Sequence, residues 1–507
     1  MDRERSLRRP PVAALALFAI SFVAVLAAGL TLTRGELVLP LDDAYIHFSL
    51  ARTLADDHTY GLQPGVFSTP ASSLVWPFAL AAARALSLAL DRTALVLGAL
   101  AGASTVLSLD RVLERAGLGD RARFVWLAVV IALVPLAPIA ALGMEHAAHI
   151  ATVVALVAEA TRAPAPRSRR LAFLSALVVG LRYEGVFVVA LVALLLTRRR
   201  ELRGAAIALA SGAVLPLAAA AFFIHHGAPF APASVLMKRT EVPLGALPTT
   251  ILDRLRANPH VAALLVGAAL LFRAVPRDAP ARGWLAVGFG ALALQTAFAQ
   301  IGWLYRYEAY AVAVTLAGVA MSWATLRRAW RPVAIALALA CAPRGALAHA
   351  TVPRAARNIA DQQMQIAHFL ASRREPRSPV AVNDVGATTF FGQSRIVDLI
   401  GLGDLRVAAA RGFRIDHGLS RDDLVRITRE SGVRHAVLYE PWFKGTVPDE
   451  WTAVERWRIR DNRVCAFDTV TFYGTSPDAA AELERALDAY RAKLPAGVEA
   501  LPIFPRK

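Results

Sequence analysis

"VAALALFAISFVAVLAAGLTL", residues 12–32, decides the fold class, because only Ser21 and Thr31 interrupt an otherwise apolar stretch. At 1.5 Å per residue it is about 30 Å long, the thickness of a bilayer's hydrocarbon core. A cleaved signal peptide is the competing reading, since arginines precede the stretch and small residues end it, but such apolar regions are usually only about 7–15 residues long. The remainder of the chain separates the two. Apolar stretches recur along it, 56% of its residues are hydrophobic, and mean hydropathy is +0.46. These features describe an α-helical multi-pass membrane protein.

A helix-length window places further spans near 93–109, 124–141, 146–160, 171–181, 185–197, 204–224, 261–272, 284–300, 309–325 and 332–346, about eleven in all. Basic segments at 1–10, 110–123, 161–170, 197–203, 273–282 and 326–331 all fall on inside positions of that count. The count requires "SSLVWPFALAAARALSLAL" (72–90) to lie along the outer surface without crossing. It also requires 171–197, which has arginines at both ends, to form a hairpin of two short helices turning at "LRYEG" (181–185). The N-terminus is then cytoplasmic, in the inner or plasma membrane.

A net charge of +17 in a soluble protein would suggest nucleic acid, but here the arginines sit in short loops between apolar segments, so no nucleic-acid partner is expected. Cys341 and Cys465 match no metal spacing and receive no role. The pairs His146/His149 and His225/His226 read as packing or hydrogen-bonding residues rather than metal ligands.

From about residue 350 the apolar spans stop and short strand patterns alternate with helical ones. "PVAVN", "RIVDLI", "RHAVLY" and "VCAFDTVTFYG" read as strands, while "RAARNIADQQMQIAHFLASRR", "SRDDLVRITRESG" and "PDAAAELERALDAYRAKL" read as helices. Alternation of this kind gives a small α/β domain, residues 350–507. After an odd number of crossings it is exported, periplasmic or extracellular. Residues 1–349 form the transmembrane module, with an outer loop at 33–91. "GLGD" (401–404) is too short and wrongly placed for a dinucleotide fingerprint.

The ionisable residues left outside the basic loops are Asp42 and Asp43, Glu145, Arg182 and Glu184, Lys238 and Arg239, and Arg306 and Glu308. All fall on the outer side of this topology. Charge at membrane depth is costly, so a group at one face marks a functional site by default, against the alternative of salt bridges that only tie helices together.

Several stretches resemble the GT-C superfamily of integral-membrane glycosyltransferases, which take sugars from polyprenyl-phosphate donors. They are "DDAYIHFSLARTLADDHTYGLQPG" (42–65), "STPASSLVW" (68–76), "GMEH" (143–146), "RYEG" (182–185), "YRYE" (305–308) and "VAVNDVGATTFFGQSRIVDLIGL" (380–402). The resemblance covers most of residues 12–405 and is nearest to bacterial members with "DDAY" in the first outer loop, including mycobacterial terminal arabinofuranosyltransferases. It implies a catalytic aspartate at Asp42 or Asp43, with Asp42 placed ahead. It also implies substrate-binding roles for Glu145, Arg182, Glu184, Lys238 and Arg306, together with Tyr45 of the motif. His146 and Tyr183 depart from the family, which has Thr and Pro at those positions.

The chemistry is consistent with that assignment. A lipid phosphate is a good leaving group, whereas an acceptor hydroxyl benefits from a carboxylate base, and the departing phosphate benefits from Lys238, Arg182 and Arg306. Adjacent carboxylates repel, which either raises one pKa or recruits a shared divalent ion at Asp42 and Asp43; no cofactor is otherwise required. The expected activity is therefore transfer of a hexosyl or pentosyl group from a polyprenyl-phosphate donor to a hydroxyl of a cell-envelope glycan, lipid or protein. A lipid or solute transporter is the alternative, but transporters favour internal repeats and midplane sites, neither of which is visible here. For the aspartate pair itself, the competing role is to cap the helix that follows.

Overall fold

The computed structural model describes residues 10–162, 165–237, 243–373 and 378–503. The first basic segment and Lys238 with Arg239 lie outside the described residues. Helices α1 (Pro10–Leu32), α2 (Asp42–Asp56), α3 (Trp76–Ala85), α4 (Leu90–Arg115), α5 (Asp120–Leu133) and α6 (Leu136–Ala140) open the chain. They are followed by α7 (His146–Ala160), α8 (Ser168–Leu181), α9 (Gly185–Arg198), α10 (Leu202–His225), α11 (Ala233–Leu236), α12 (Leu247–Ala257) and α13 (Pro259–Ala274). Helices α14 (Ala281–Phe298), α15 (Ala309–Ser322), α16 (Arg331–Ala340), α17 (Ala342–Asp361) and α18 (Gln363–Ser372) complete the helical part.

Every apolar stretch expected to cross falls on a helix, yet the expected eleven crossings are not all full length. Among the described residues, α1, α4, α10 and the stretch Arg328–Ser372 are long and apolar enough to cross, with a fifth if α12 and α13, bent by 105°, count as one. The reason is length. Helices α7, α9 and α15 have 15, 14 and 14 residues, about 21–23 Å, less than a hydrocarbon core of about 30 Å. They stop short inside the bundle, and their polar turns are therefore recessed within protein. Helix α15 has all 14 residues buried and packs closely on α14: a Cβ on Gly288 would lie 2.5 Å from the Thr315 hydroxyl, and one on Gly318 would lie 2.9 Å from the Leu285 nitrogen. Small residues that let backbones approach are the usual means of association between membrane helices. Within 72–90, α3 has only 10 residues and is too short to cross.

Helix α17 runs through residue 350, so the last apolar stretch continues as a rod into the α/β part, bending at Gln362 (φ −114°, ψ −78°). Beyond it a six-stranded mixed sheet forms from β1 (Val380–Val382), β2 (Ile396–Asp398), β3 (His435–Leu438), β4 (Thr452–Ile459), β5 (Thr469–Gly474) and β6 (Val498–Pro502), in the order β2-β1-β3-β5-β4-β6. Strand β1 pairs in parallel with β2 and β3; the remaining pairs are antiparallel. Strands β4 and β6 lie in stretches that the sequence reading left unassigned, and "VCAFDTVTFYG" forms a strand only from Thr469. The remaining helices are α19 (Gly386–Phe391), α20 (Leu405–Ala410), α21 (Arg421–Glu430) and α22 (Pro477–Arg491). The helix expected from Ser420 is α21, whose first turn is capped by that hydroxyl accepting from the Asp423 N–H.

Candidate active site

Helix α2 starts where Leu41 arrives in extended conformation, and no side chain caps it. The aspartates are therefore not spent on their own helix. Asp42 reaches to the α/β domain, where its Oδ2 accepts from the Gly386 N–H at 2.7 Å and its Oδ1 from the Ala387 N–H at 2.8 Å. Gly386 permits this contact, since a Cβ there would lie 2.0 Å from the Asp42 carbonyl oxygen. Asp43 turns the other way and accepts from Arg306 at 2.5 Å. The two carboxylates thus face different partners, and among the described residues no group of three or more His, Cys, Asp or Glu is arranged to hold a metal ion.

Asp384, just past the end of β1, sits close to this pair. Its Oδ2 accepts from Gln363 and from the Tyr439 hydroxyl, both at 2.8 Å. Burial and the nearby Asp384 carboxylate push the Asp42 carboxyl up to about 8, against the two backbone donors that favour its anion. Asp384 is likewise raised, chiefly by its own burial.

Three recessed turns build the remainder. In the turn before α7, Gly143 takes φ +70°, with Leu39 packed where a Cβ would stand, and Glu145 projects fully buried. In the turn between α8 and α9, the Arg182 guanidinium donates to Glu145 at 2.8 Å and to Glu184 at 2.8 Å, and touches His146 Nε2 at 3.0 Å. His47 of α2 approaches the other Glu145 oxygen at 3.5 Å. Before α15, Arg306 bonds the Tyr307 hydroxyl at 3.0 Å as well as Asp43. The Tyr307 ring lies between both cations, 5.4 Å from the Arg182 guanidinium carbon and 4.9 Å from that of Arg306. Asp43, Arg306, Tyr307, Arg182, Glu145 and Glu184 thus form one continuous polar constellation.

The Arg306 turn is itself unusual. Gly302, Trp303, Leu304 and Tyr305 all have positive φ, at 87°, 46°, 58° and 59°. Three consecutive non-glycine residues hold a conformation that costs about 1–2 kcal/mol each, which persists only where surroundings impose it. Glu308 accepts from the Gly302 N–H at 2.8 Å, Arg344 donates to the Tyr305 carbonyl at 2.6 Å, and Arg344 pairs with Glu308. His260 completes this second buried cluster, 3.6 Å from Glu308. Glu308, grouped with Arg306 on sequence, in fact clamps the turn that aims Arg306.

Tyr45 is not brought into the site. It is 2% exposed, its hydroxyl accepts from the Leu39 N–H at 2.9 Å, and its ring packs against Phe48, Phe390 and Phe391. His47, Tyr307, Arg344, Asp384 and Gly386 were not singled out from sequence. The "NDVG" of the last family-like stretch was the available signal for two of them.

A cavity of about 480 Å³ opens beside the constellation. Its lining includes Arg182, Glu184, Tyr307 and Gln300 and the apolar side chains of Phe187, Leu217, Phe230 and Phe298.

The structure superposes on that of ArnT from Cupriavidus metallidurans bound to undecaprenyl phosphate with a TM-score of 0.56, covering 92% of this chain and 98% of that one at 12% identity. This chain has the fold of ArnT. The apo state of ArnT gives 0.54 at 13% identity with the same coverage. Archaeal oligosaccharyltransferase AglB from Archaeoglobus fulgidus, in complex with an inhibitory peptide and a dolichol-phosphate, gives 0.45 at 11% identity over 97% and 76% of the two chains. A family model described as "Domain of unknown function (DUF8728)" matches residues 357–473, the stretch containing Asp384, Gly386 and Tyr439. No curated protein matches the sequence.

Proposed function

We propose that this protein is a membrane glycosyltransferase that moves a sugar from a polyprenyl-phosphate donor to a hydroxyl of a cell-envelope glycan, lipid or protein. The observation that carries this reading is a cavity lined by Phe187, Leu217 and Phe298 that also takes in the Arg182–Glu184 ion pair. A polyprenyl chain suits the apolar lining, and its phosphate the Arg182 guanidinium. The ArnT fold, and the undecaprenyl phosphate named with that structure, support the same ligand class.

Asp43 is the proposed base. Asp42 has both oxygens engaged by Gly386 and Ala387 inside the contact with the α/β domain, whereas Asp43 is about a third exposed. Donor phosphate competes for Arg306, which releases Asp43 toward the acceptor. The acceptor oxygen then bonds the anomeric carbon as its proton passes to Asp43. The bond from that carbon to the phosphate oxygen breaks, and its electron pair leaves on the lipid phosphate. Arg182 and Arg306 stabilise the charge that develops there. Lys238 is proposed to join them, and Tyr45 to act indirectly, by holding α2 against α19. In this topology the site faces outward, with the N-terminus cytoplasmic and the α/β domain exported.

The test is a transfer assay on purified protein in bilayers, presenting polyprenyl phosphates loaded with different pentoses and hexoses and an envelope extract as acceptor. Release of polyprenyl phosphate dependent on acceptor supports the reading. Absence of release across the series, with protein that melts cooperatively, contradicts it.

A further inference from the structure

At the opposite end of α9 from Glu184, about 20 Å along the helix, a groove opens on the bundle. Helices α9, α13 and α14 leave a slot of about 500 Å³ walled by apolar side chains including Leu191, Leu194, Ala268, Phe272 and Phe289, with Arg198 and Arg273 also lining it. Phe272 and Arg273 also line a second cavity, of about 730 Å³, together with Arg277, Arg282 and Arg327. The Arg282 guanidinium lies 4.2 Å over the Phe272 ring. Among the described residues no acidic side chain lines either cavity.

Arginines in loops on the cytoplasmic side follow from topology alone. Topology does not explain the apolar groove beneath them, which runs over the place where α14 meets α9 closely, a Cβ on Gly290 lying 2.6 Å from the Leu191 side chain. An apolar slot leading into an arginine cluster has the shape and charge of one phospholipid: acyl chain between the helices, phosphate at the guanidiniums. Basic pockets between membrane helices on the cytoplasmic side hold anionic headgroups in this way.

We propose that this is a binding site for an anionic glycerophospholipid, separate from the donor cavity and independent of the glycosyltransferase reading. The phosphate diester is held by Arg273 and Arg282, and one acyl chain fills the slot.

The test uses the full chain in phosphatidylcholine nanodiscs, titrated with phosphatidylglycerol of the same acyl chains, with bound lipid counted by native mass spectrometry and melting temperature followed in parallel. Phosphatidylglycerol is expected to be retained and to raise the melting temperature, and further phosphatidylcholine to do neither. The double variant Arg273→Gln/Arg282→Gln should weaken retention about 10- to 30-fold while melting as the parent does in phosphatidylcholine alone. Leu194→Trp, which fills the slot and keeps the arginines, should also abolish retention. Equal retention of both lipids, or retention undiminished in either variant, overturns the proposal. So does displacement of phosphatidylglycerol by an equimolar amount of polyprenyl phosphate.

Discussion

Trp303→Gly and Trp303→Ala form a pair that reads the strain stored ahead of Arg306. Both remove the same half-exposed indole, so they differ only in what the backbone tolerates. In ordinary conformations glycine is less stable than alanine by about 0.5–1 kcal/mol in helices and strands. At φ 46° the sign reverses, because alanine keeps a left-handed penalty of about 1–2 kcal/mol that glycine lacks. The glycine variant is therefore expected to be the more stable by about 1 kcal/mol, roughly 1–2 °C in melting temperature for a chain of this size. The clamp supplies the second arm. Arg344→Met leaves Glu308 buried without its cation, a loss of about 3–5 kcal/mol, and should speed hydrogen exchange of the amides in 301–308. Adding Trp303→Gly to that variant should restore part of the protection, and adding Trp303→Ala should not. Melting of the purified protein and mass-resolved exchange read both effects. An alanine variant as stable as the glycine variant would refute the idea that the turn is strained and that Glu308 and Arg344 hold it.

Gly386→Ala places a methyl 2.0 Å from the backbone oxygen of Asp42, which no side-chain rotation relieves. A loss of about 1–3 kcal/mol and faster proteolytic release of the α/β domain are expected, and unchanged cleavage would contradict the docking role of Asp42. Because Asp42 is raised to about 8 from an ordinary value of about 3.9, the folded state binds more protons than the unfolded one between those values. Stability should therefore fall as pH rises through that window; melting should be higher at pH 6 than at pH 8.5, and a slope unaltered by Asp42→Asn would assign it to other groups. Arg182→Lys keeps the charge but cannot donate to Glu145 and Glu184 from one planar fork. It should lower use of lipid-phosphate donor at least tenfold in steady-state kinetics, and parent-like donor kinetics would reduce Arg182 to a structural pair.

The sequence showed the helices and the recessed turns well, for a physical reason. Apolar stretches of helical length bounded by arginines mark themselves, so His146–Ala160 and the hairpin at Arg182–Glu184 stand where the hydropathy placed them. Crossing number was less legible, because hydropathy records composition and not whether a 14-residue helix is surrounded by lipid or by protein. The site was half visible. Charges out of place in apolar surroundings, such as Glu145 and Arg306, announced themselves. Arg344 did not, since a single arginine near a span end looks like a topological flank and only the fold sets it against Glu308. Asp384 and Gly386 come from the α/β domain, more than 340 residues from Asp42, and no local pattern reports a contact at that separation. Tyr45 shows the converse: a residue in a family-like motif that the fold packs against Phe48, Phe390 and Phe391.

The most direct measurement of the central claim is sugar transfer by Asp43→Asn beside Asp42→Asn, with the melting temperature of each. A base at Asp43 predicts that Asp43→Asn loses about 10²–10⁴ in turnover while still folding cooperatively and binding donor, with a lower melting temperature because buried Arg306 gives up its carboxylate. It predicts that Asp42→Asn, whose amide must face one of two N–H donors, loses stability first and turnover less. Transfer at the parent rate by Asp43→Asn would contradict the account at its centre.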